Sequence, residues 1–206
     1  MSGSGRATTR DRILQAAILA LATHGYAGTT ARSIAALGGF APGVLYYHFT
    51  DLNDVLRAAA AYTSGERAAR YREMMVGITN ASELVVRLRE LYAEDVASGH
   101  VEAVQELVAA ARPGSELADA VTDQTRRWEA LAEEVLRGLL RGHPLARLVN
   151  VPVVARAAVA YYLGMQTLTH LDGDTSRPAA AFAQAAKLAK SFDKVPRMRR
   201  RPSQTH

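Results

Sequence analysis

Ile34-Ala35-Ala36-Leu37-Gly38-Gly39-Phe40-Ala41-Pro42-Gly43-Val44-Leu45-Tyr46-Tyr47-His48-Phe49 is the stretch that decides the fold. Its first part reads as a short helix, residues 31 to 37, capped by Thr29 or Thr30, with Ile34 and Ala35 pointing inward. Gly38-Gly39 ends that helix because glycine accepts a positive φ, and Phe40 right after it can plug the space between two helices. A second short helix runs from Pro42 to His48, with the proline in the first turn, where its missing N–H costs nothing. Two short helices joined by a glycine turn and followed by an apolar residue make a helix-turn-helix.

The second of these helices has the surface that a DNA groove demands. Its N-terminal half enters a major groove about 12 Å wide, so its outer face must be slim. Ala41, Pro42, Gly43 and Val44 are small, while Leu45 and Phe49, four apart, form the inward stripe. Tyr46, Tyr47 and His48 place hydroxyl and imidazole groups at the far end, where phosphate oxygens lie; the competing reading is an aromatic core cluster. Arg32 is the one charged residue of the preceding helix.

Outward from this stretch the whole chain keeps a helical period, and no run of alternating β-branched residues with hairpin turns interrupts it. The first helix spans about Thr8 to His24, with Ile13, Leu14, Ala17, Ile18 and Leu21 on one face and Gly25 as its stop. Arg6, Arg10 and Arg12 lie at or before its first turn, against the helix dipole, which points to an anion nearby. Asp51 or Asn53 caps a long fourth helix to roughly Met75. Glycine and proline punctuation places five more at about 82–97, 101–111, 115–141, 151–171 and 178–192. The expectation is all-α with about nine helices.

Composition narrows the function classes. The chain has 206 residues, 49% of them apolar, and no cysteine, which excludes disulfide scaffolds, thiol nucleophiles and cysteine zinc sites. At this size folding hides roughly 70% of the unfolded chain's surface, enough for a real core. No apolar run spans about 30 Å of hydrocarbon, and Met1 to Arg6 lack the apolar segment of a signal peptide, so a cytoplasmic protein is expected. The net charge of +5 is unevenly spread. Residues 1–50 carry four arginines against Asp11, a net +3; residues 51–193 sum to −3; residues 194–206 add five cations. A cationic head on an acidic body fits a head that meets a polyanion.

The quoted stretch, with Gly25-Tyr26 and Thr29-Thr30 before it and Leu56 after it, resembles the DNA-binding signature of the tetracycline-repressor (TetR) family over about residues 8–60. The resemblance implies phosphate roles for Thr29 or Thr30, Tyr46, Tyr47 and His48, base or groove contacts for Pro42, Gly43 and Val44, and for Arg32 either a contact with guanine O6 and N7 or one with a phosphate. It also implies a palindromic operator, a repressor, and a divergent helical second domain that binds a small-molecule effector and dimerises through its last two helices. Leu52 stands where that family commonly has a lysine, and Ala41 and Val44 stand where Ser or Thr is usual, so the phosphate anchors of those positions are missing. The basic approach Arg6 to Arg12 is expected to compensate.

The resemblance divides the chain into a helix-turn-helix domain at 1–52 with its basic arm, a ligand-binding and dimerisation domain at 53–193, and a basic disordered tail at 194–206. Within the second domain, Ala157, Ala160, Tyr161, Gly164, Leu168 and Leu171 make one small-residue stripe, and Phe182, Ala185, Ala186, Ala189 and Phe192 make another. Both suit a four-helix interface between two copies, or alternatively an internal core. Tyr92, Trp128, Met75, Met165 and His170 are the candidate effector lining, apolar walls with a few polar handles.

A catalytic reading lacks residues to carry it. The six histidines show no i, i+4 pairing, no phosphate loop or nucleophile elbow occurs, and Glu133-Glu134 diverge on a helix. No enzyme, metal or cofactor is expected. The rival readings are a helical protein-interaction adaptor and a ligand-binding enzyme without DNA binding.

Overall fold

The computed structural model describes residues 8–197. Among them are nine α-helices, one 3-10 turn and no strand: α1 Thr9–Gly28, α2 Ala31–Gly38, α3 Pro42–His48, α4 Leu52–Met75, α5 Ala81–Ala97, α6 His100–Ala110, α7 Glu116–Leu140, the turn Pro144–Arg147, α8 Val151–Asp172 and α9 Ser176–Asp193.

Local chemistry starts α1 despite its cations. The Thr8 hydroxyl oxygen accepts the Asp11 amide at 3.1 Å, and Asp11 Oδ2 accepts the Thr8 amide at 2.9 Å. This reciprocal box satisfies two donors at once. The backbone bond from Thr8, then the bond from its hydroxyl, hold the Asp11 carboxyl below the usual range. Gly25 does not end the helix but breaks it: its φ of 67° and ψ of 176° interrupt the ladder, and one more turn follows to Gly28.

Packing divides the described residues into two compact units, one of residues 8–67 together with Ala93–Thr125, the other of Ala68–Tyr92 together with residues 126–197. In the first unit Ile13, Leu14, Ala17 and Leu21 of α1 meet Ile34, Leu45, Phe49, Val55, Leu56 and Ala59. Ala103 and Leu107 of α6 are buried in the same core, so it reaches well past residue 52. Burying each of the large aliphatic side chains contributes about 1.5–3 kcal/mol. Arg67 and Asp95, both nearly buried, form an ion pair in this unit.

In the second unit Tyr71, Met75, Leu91, Leu131 and Val135 form a core. The start of α5 is held by the end of α9. Asp193 accepts the amides of Ala81 and Ser82 at 2.8 and 2.9 Å and the Ser82 hydroxyl at 2.6 Å. A carboxylate at a helix N-terminus also complements the dipole. Burial works to raise the Asp193 pKa, yet these bonds and the nearby Arg197 hold it below the ordinary value. Of the tail expected to be disordered, residues 194–197 are described, and Arg197 donates to the carbonyls of Thr79 and Leu139. Residues 198–206 lie outside the described residues, as do Arg6 and the rest of 1–7.

Candidate nucleic-acid interface

The interface is built from the turn upward. Thr30 caps α2, its hydroxyl oxygen accepting the Ser33 amide at 3.1 Å while Ser33 Oγ accepts the Thr30 amide at 2.8 Å. At the other end Gly39 takes the left-handed conformation, φ 67°, and the amide of Phe40 reaches the Ala35 carbonyl at 3.1 Å. Gly38 is required for a different reason: a Cβ there would stand 2.0 Å from Cε1 of the Phe40 ring. The ring thereby closes the turn and packs half-buried on the core.

α3 is anchored from beneath. Leu45 is fully buried and Phe49 nearly so, while Ala41, Pro42 and Gly43 are exposed with open space beside Gly43. Val44 is half-buried against the core, so its contribution to the outer face is partial. Tyr46 and Tyr47 are 57% and 87% exposed, which removes the core-cluster reading for both. His48 is half-buried and meets the Tyr47 ring edge-on at 5.2 Å. Arg32 and Thr30 are exposed at the start of α2. The structure therefore brings Thr30, Arg32, Pro42, Gly43, Tyr46, Tyr47 and His48 to the surface of one helix-turn-helix.

Thr29 is a correction. It is 3% exposed, and its hydroxyl donates to the Gly25 carbonyl at 2.7 Å, so its side chain organises the turn between α1 and α2 and cannot meet a phosphate. Arg10 and Arg12 have contacts that spacing alone did not reveal. Arg12 Nη2 donates to the Gly38 carbonyl at 3.3 Å, at the end of α2, and the Arg10 guanidinium lies over the Phe49 ring. Leu52, where a lysine anchor was missed, packs half-buried on the core.

The second unit holds the remaining candidates. Trp128 packs edge-on against Tyr71 at 4.9 Å, and Tyr92 packs against Tyr162 and Phe182 at 6.1 and 5.5 Å. Met75 and Met165 are buried, whereas His170 is exposed. A cleft of about 320 Å³ is lined by Met75, Val76, Ile78, Val135, Arg141 and Arg197 among others, and of the five candidate lining residues only Met75 belongs to it. The α8 stripe Ala157, Ala160, Tyr161, Gly164, Leu168 and Leu171 faces outward. The α9 stripe does not. Ala189 is buried, Phe182 packs on Tyr92 and Phe192 stacks on His143 at 4.0 Å, while Ala185 and Ala186 are half-covered. Such a face is spent within the chain, and the side of α9 left open carries Ala180, Gln184, Lys187 and Leu188.

Among the described residues no helix is long and apolar enough to cross a membrane, and no group of three His, Asp or Glu is placed to hold a metal ion.

Comparison with known proteins agrees with the geometry. Residues 13–59 match the family model of bacterial regulatory proteins, tetR family. Among solved structures, the chain is similar to the regulator FadR from Bacillus subtilis in complex with stearoyl-CoA, with 17% identity and a TM-score of 0.71 over 88% of this chain and 97% of that one. It is similar to a TetR-family regulator from Rhodococcus sp., with 24% identity and a TM-score of 0.70 over 87% and 97%. The multidrug binding protein EbrR, solved with imidazole, gives 26% identity and a TM-score of 0.61 over 93% and 98%. No curated protein sequence matches. Residues 13–59 thus carry the helix-turn-helix of the bacterial regulatory proteins of the tetR family, the fold is shared with such regulators over most of the chain, and the protein is a DNA-binding transcriptional regulator.

Proposed function

We propose that the chain is a homodimeric, sequence-specific repressor that binds a palindromic operator through two helix-turn-helix heads and is released by a small organic effector. The observation that carries this reading is the surface of α3. Leu45 and Phe49 fix it from below while Pro42, Gly43, Tyr46 and Tyr47 stand free above, a slim apolar front with hydroxyls at its far end. In this reading Pro42, Gly43 and part of Val44 enter the major groove, and Thr30, Tyr46, Tyr47 and His48 meet phosphates. Arg32 supplies the one arginine or lysine within α2 and α3.

Dimerisation is supported by α8. Tyr161 is 64% exposed, and Leu168 and Leu171 are also bare, so large apolar groups lie uncovered along one face of α8. The partner stripe is the open side of α9 around Leu188. Two heads held by such an interface read half-sites about one helical turn or slightly more apart, and a two-fold protein calls for a palindrome.

An organic effector is supported by neighbours solved with one, FadR with stearoyl-CoA and EbrR with imidazole and with malachite green. The aromatic groups of Tyr92, Tyr162, Phe182 and Trp128 in the second unit are the material for an apolar site. The effector must prefer the conformation that cannot bind DNA, since only differential affinity shifts the equilibrium. The protein acts without catalysis, in the cytoplasm, with DNA, effector and a second copy as partners.

The test is binding to labelled duplexes from the region upstream of its own gene, with the salt dependence measured. A protected palindrome and an affinity that falls steeply with salt are expected. Equal, weak binding to every duplex would leave the adaptor reading standing.

A further inference from the structure

Glu106 sits in the middle of α6, eighty positions along the chain from the turn it touches. Its Oε2 accepts the Tyr26 N–H at 2.7 Å in a part-buried setting. A Cβ built on Gly25 would stand 3.2 Å from that same oxygen, so the carboxylate lies directly on the break in α1. The break creates the need for it. Gly25 at φ 67° takes the next amide out of the helical ladder, and a covered amide without an acceptor is costly.

The turn that Glu106 holds is the one that sets α2. The Gly25 carbonyl accepts the Thr29 hydroxyl at 2.7 Å, and the Tyr26 carbonyl accepts the Thr29 amide at 3.2 Å. Ser33 Oγ, a member of the Thr30 capping box, donates to the Gly28 carbonyl at 3.2 Å. The contacts form one chain from α6 through Tyr26 and Thr29 to the first turn of α2. Ala103 and Leu107, on the same side of α6 as Glu106, are buried in the core with α1, and a Cβ at Gly99 would come within 3.0 Å of the Ala22 Cβ. α6 is thus closely seated on α1.

We propose that Glu106 is a positioning residue of the DNA-binding head: its carboxylate pins the Gly25–Thr29 turn to α6, and so makes the placement of α2 and α3 depend on where α6 lies. The inference rests on the DNA-binding reading and deepens it by naming the contact through which α6 acts on the head. A carboxylate suits the task because charge-assisted bonds are short and strong. A contact of about 3.6 Å is no longer a hydrogen bond, so a shift of α6 by about 1 Å takes this one beyond bonding range and frees the turn.

The test uses the full-length chain with E106L and E106Q, a duplex selected from a random pool by the wild-type chain, an unrelated duplex of equal length, and amide hydrogen exchange without DNA. In E106L the Tyr26 and Thr29 amides are expected to exchange at least about tenfold faster and affinity for the selected duplex to fall about tenfold, with exchange in α8 and α9 unchanged. E106Q keeps an oxygen acceptor and is expected to stay within about threefold of wild type in both. Wild-type exchange and affinity in E106L overturn the proposal. Should E106L lose protection throughout α8 and α9, E106D replaces it: the shorter side chain cannot span the contact, and protection equal to that of E106Q overturns the proposal. Failure of the wild-type chain to select any duplex sinks the DNA-binding reading instead, and the exchange measurements still decide whether Glu106 holds the turn.

Discussion

The guanidinium of Arg10 lies 5.0 Å from the centre of the Phe49 ring, so the first turn of α1 closes over the residue that ends α3. With Arg12 donating to the Gly38 carbonyl, both cations of that turn touch the helix-turn-helix they precede. Arg10→Ala is expected to cost about 0.5–1 kcal/mol in urea unfolding, the range of an exposed cation over an aromatic face. It should also reduce the salt slope of DNA binding by about one if the same cation meets a phosphate. Unchanged stability would show that the ring contact contributes nothing.

Arg32→Ala is expected to weaken binding to the selected operator by about 1–3 kcal/mol and to relax preference at one base pair, as loss of a guanine contact does. A panel of single-base operator variants checks this. A loss spread evenly over all variants assigns Arg32 to a phosphate.

Tyr47→Ala removes a side chain that is 87% exposed, so its melting temperature and oligomeric state should match wild type while DNA binding weakens. Leu45→Ala, two residues earlier on the buried face of α3, should do the reverse first: it opens a cavity in the head and costs about 2–5 kcal/mol of stability. Thermal melts and gel-shift titrations of the pair separate contact from scaffold. A Tyr47→Ala chain that melts early would contradict its placement.

Asp193 links stability to acid. Its folded pKa is lowered, so the stabilisation it provides is fully present above the ordinary carboxylate value of 3.8 and is lost as pH falls through the lower folded value. Asp193→Asn should therefore melt below wild type at pH 7, with the gap shrinking as pH falls below 3.8. A gap of constant size as pH falls until the carboxyl is protonated would show that the Ala81 and Ser82 bonds are no better met by a charged group than by a neutral one.

The helix-turn-helix was legible because its signals are local. Glycine at 38 and 39, proline at 42 and the Leu45–Phe49 spacing act within a few residues of one another, and the structure places α2 and α3 at the bounds they imply. Local rules failed where a distant partner decides. Thr29 and Thr30 are equivalent as caps in sequence, and only the Gly25 carbonyl, presented by the broken α1, draws Thr29 inward. The small residues of α9 fit an interface in either direction; the aromatic rings of Tyr92 and His143 settle which side is covered. Glu106 left no mark in sequence at all, since its role exists only once α6 lies beside α1.

The burial of Ala103 and Leu107 among the residues of α1 to α4 has a practical meaning for anyone building chimaeric sensors from this protein. A graft cut after residue 52 would carry the reading helix but strip off Val55, Leu56 and Ala59 along with α6, leaving the underside of α1 wet. The compact unit that holds the helix-turn-helix is instead discontinuous, residues 8–67 with 93–125, so a graft that keeps its core whole needs a linker in place of what lies between.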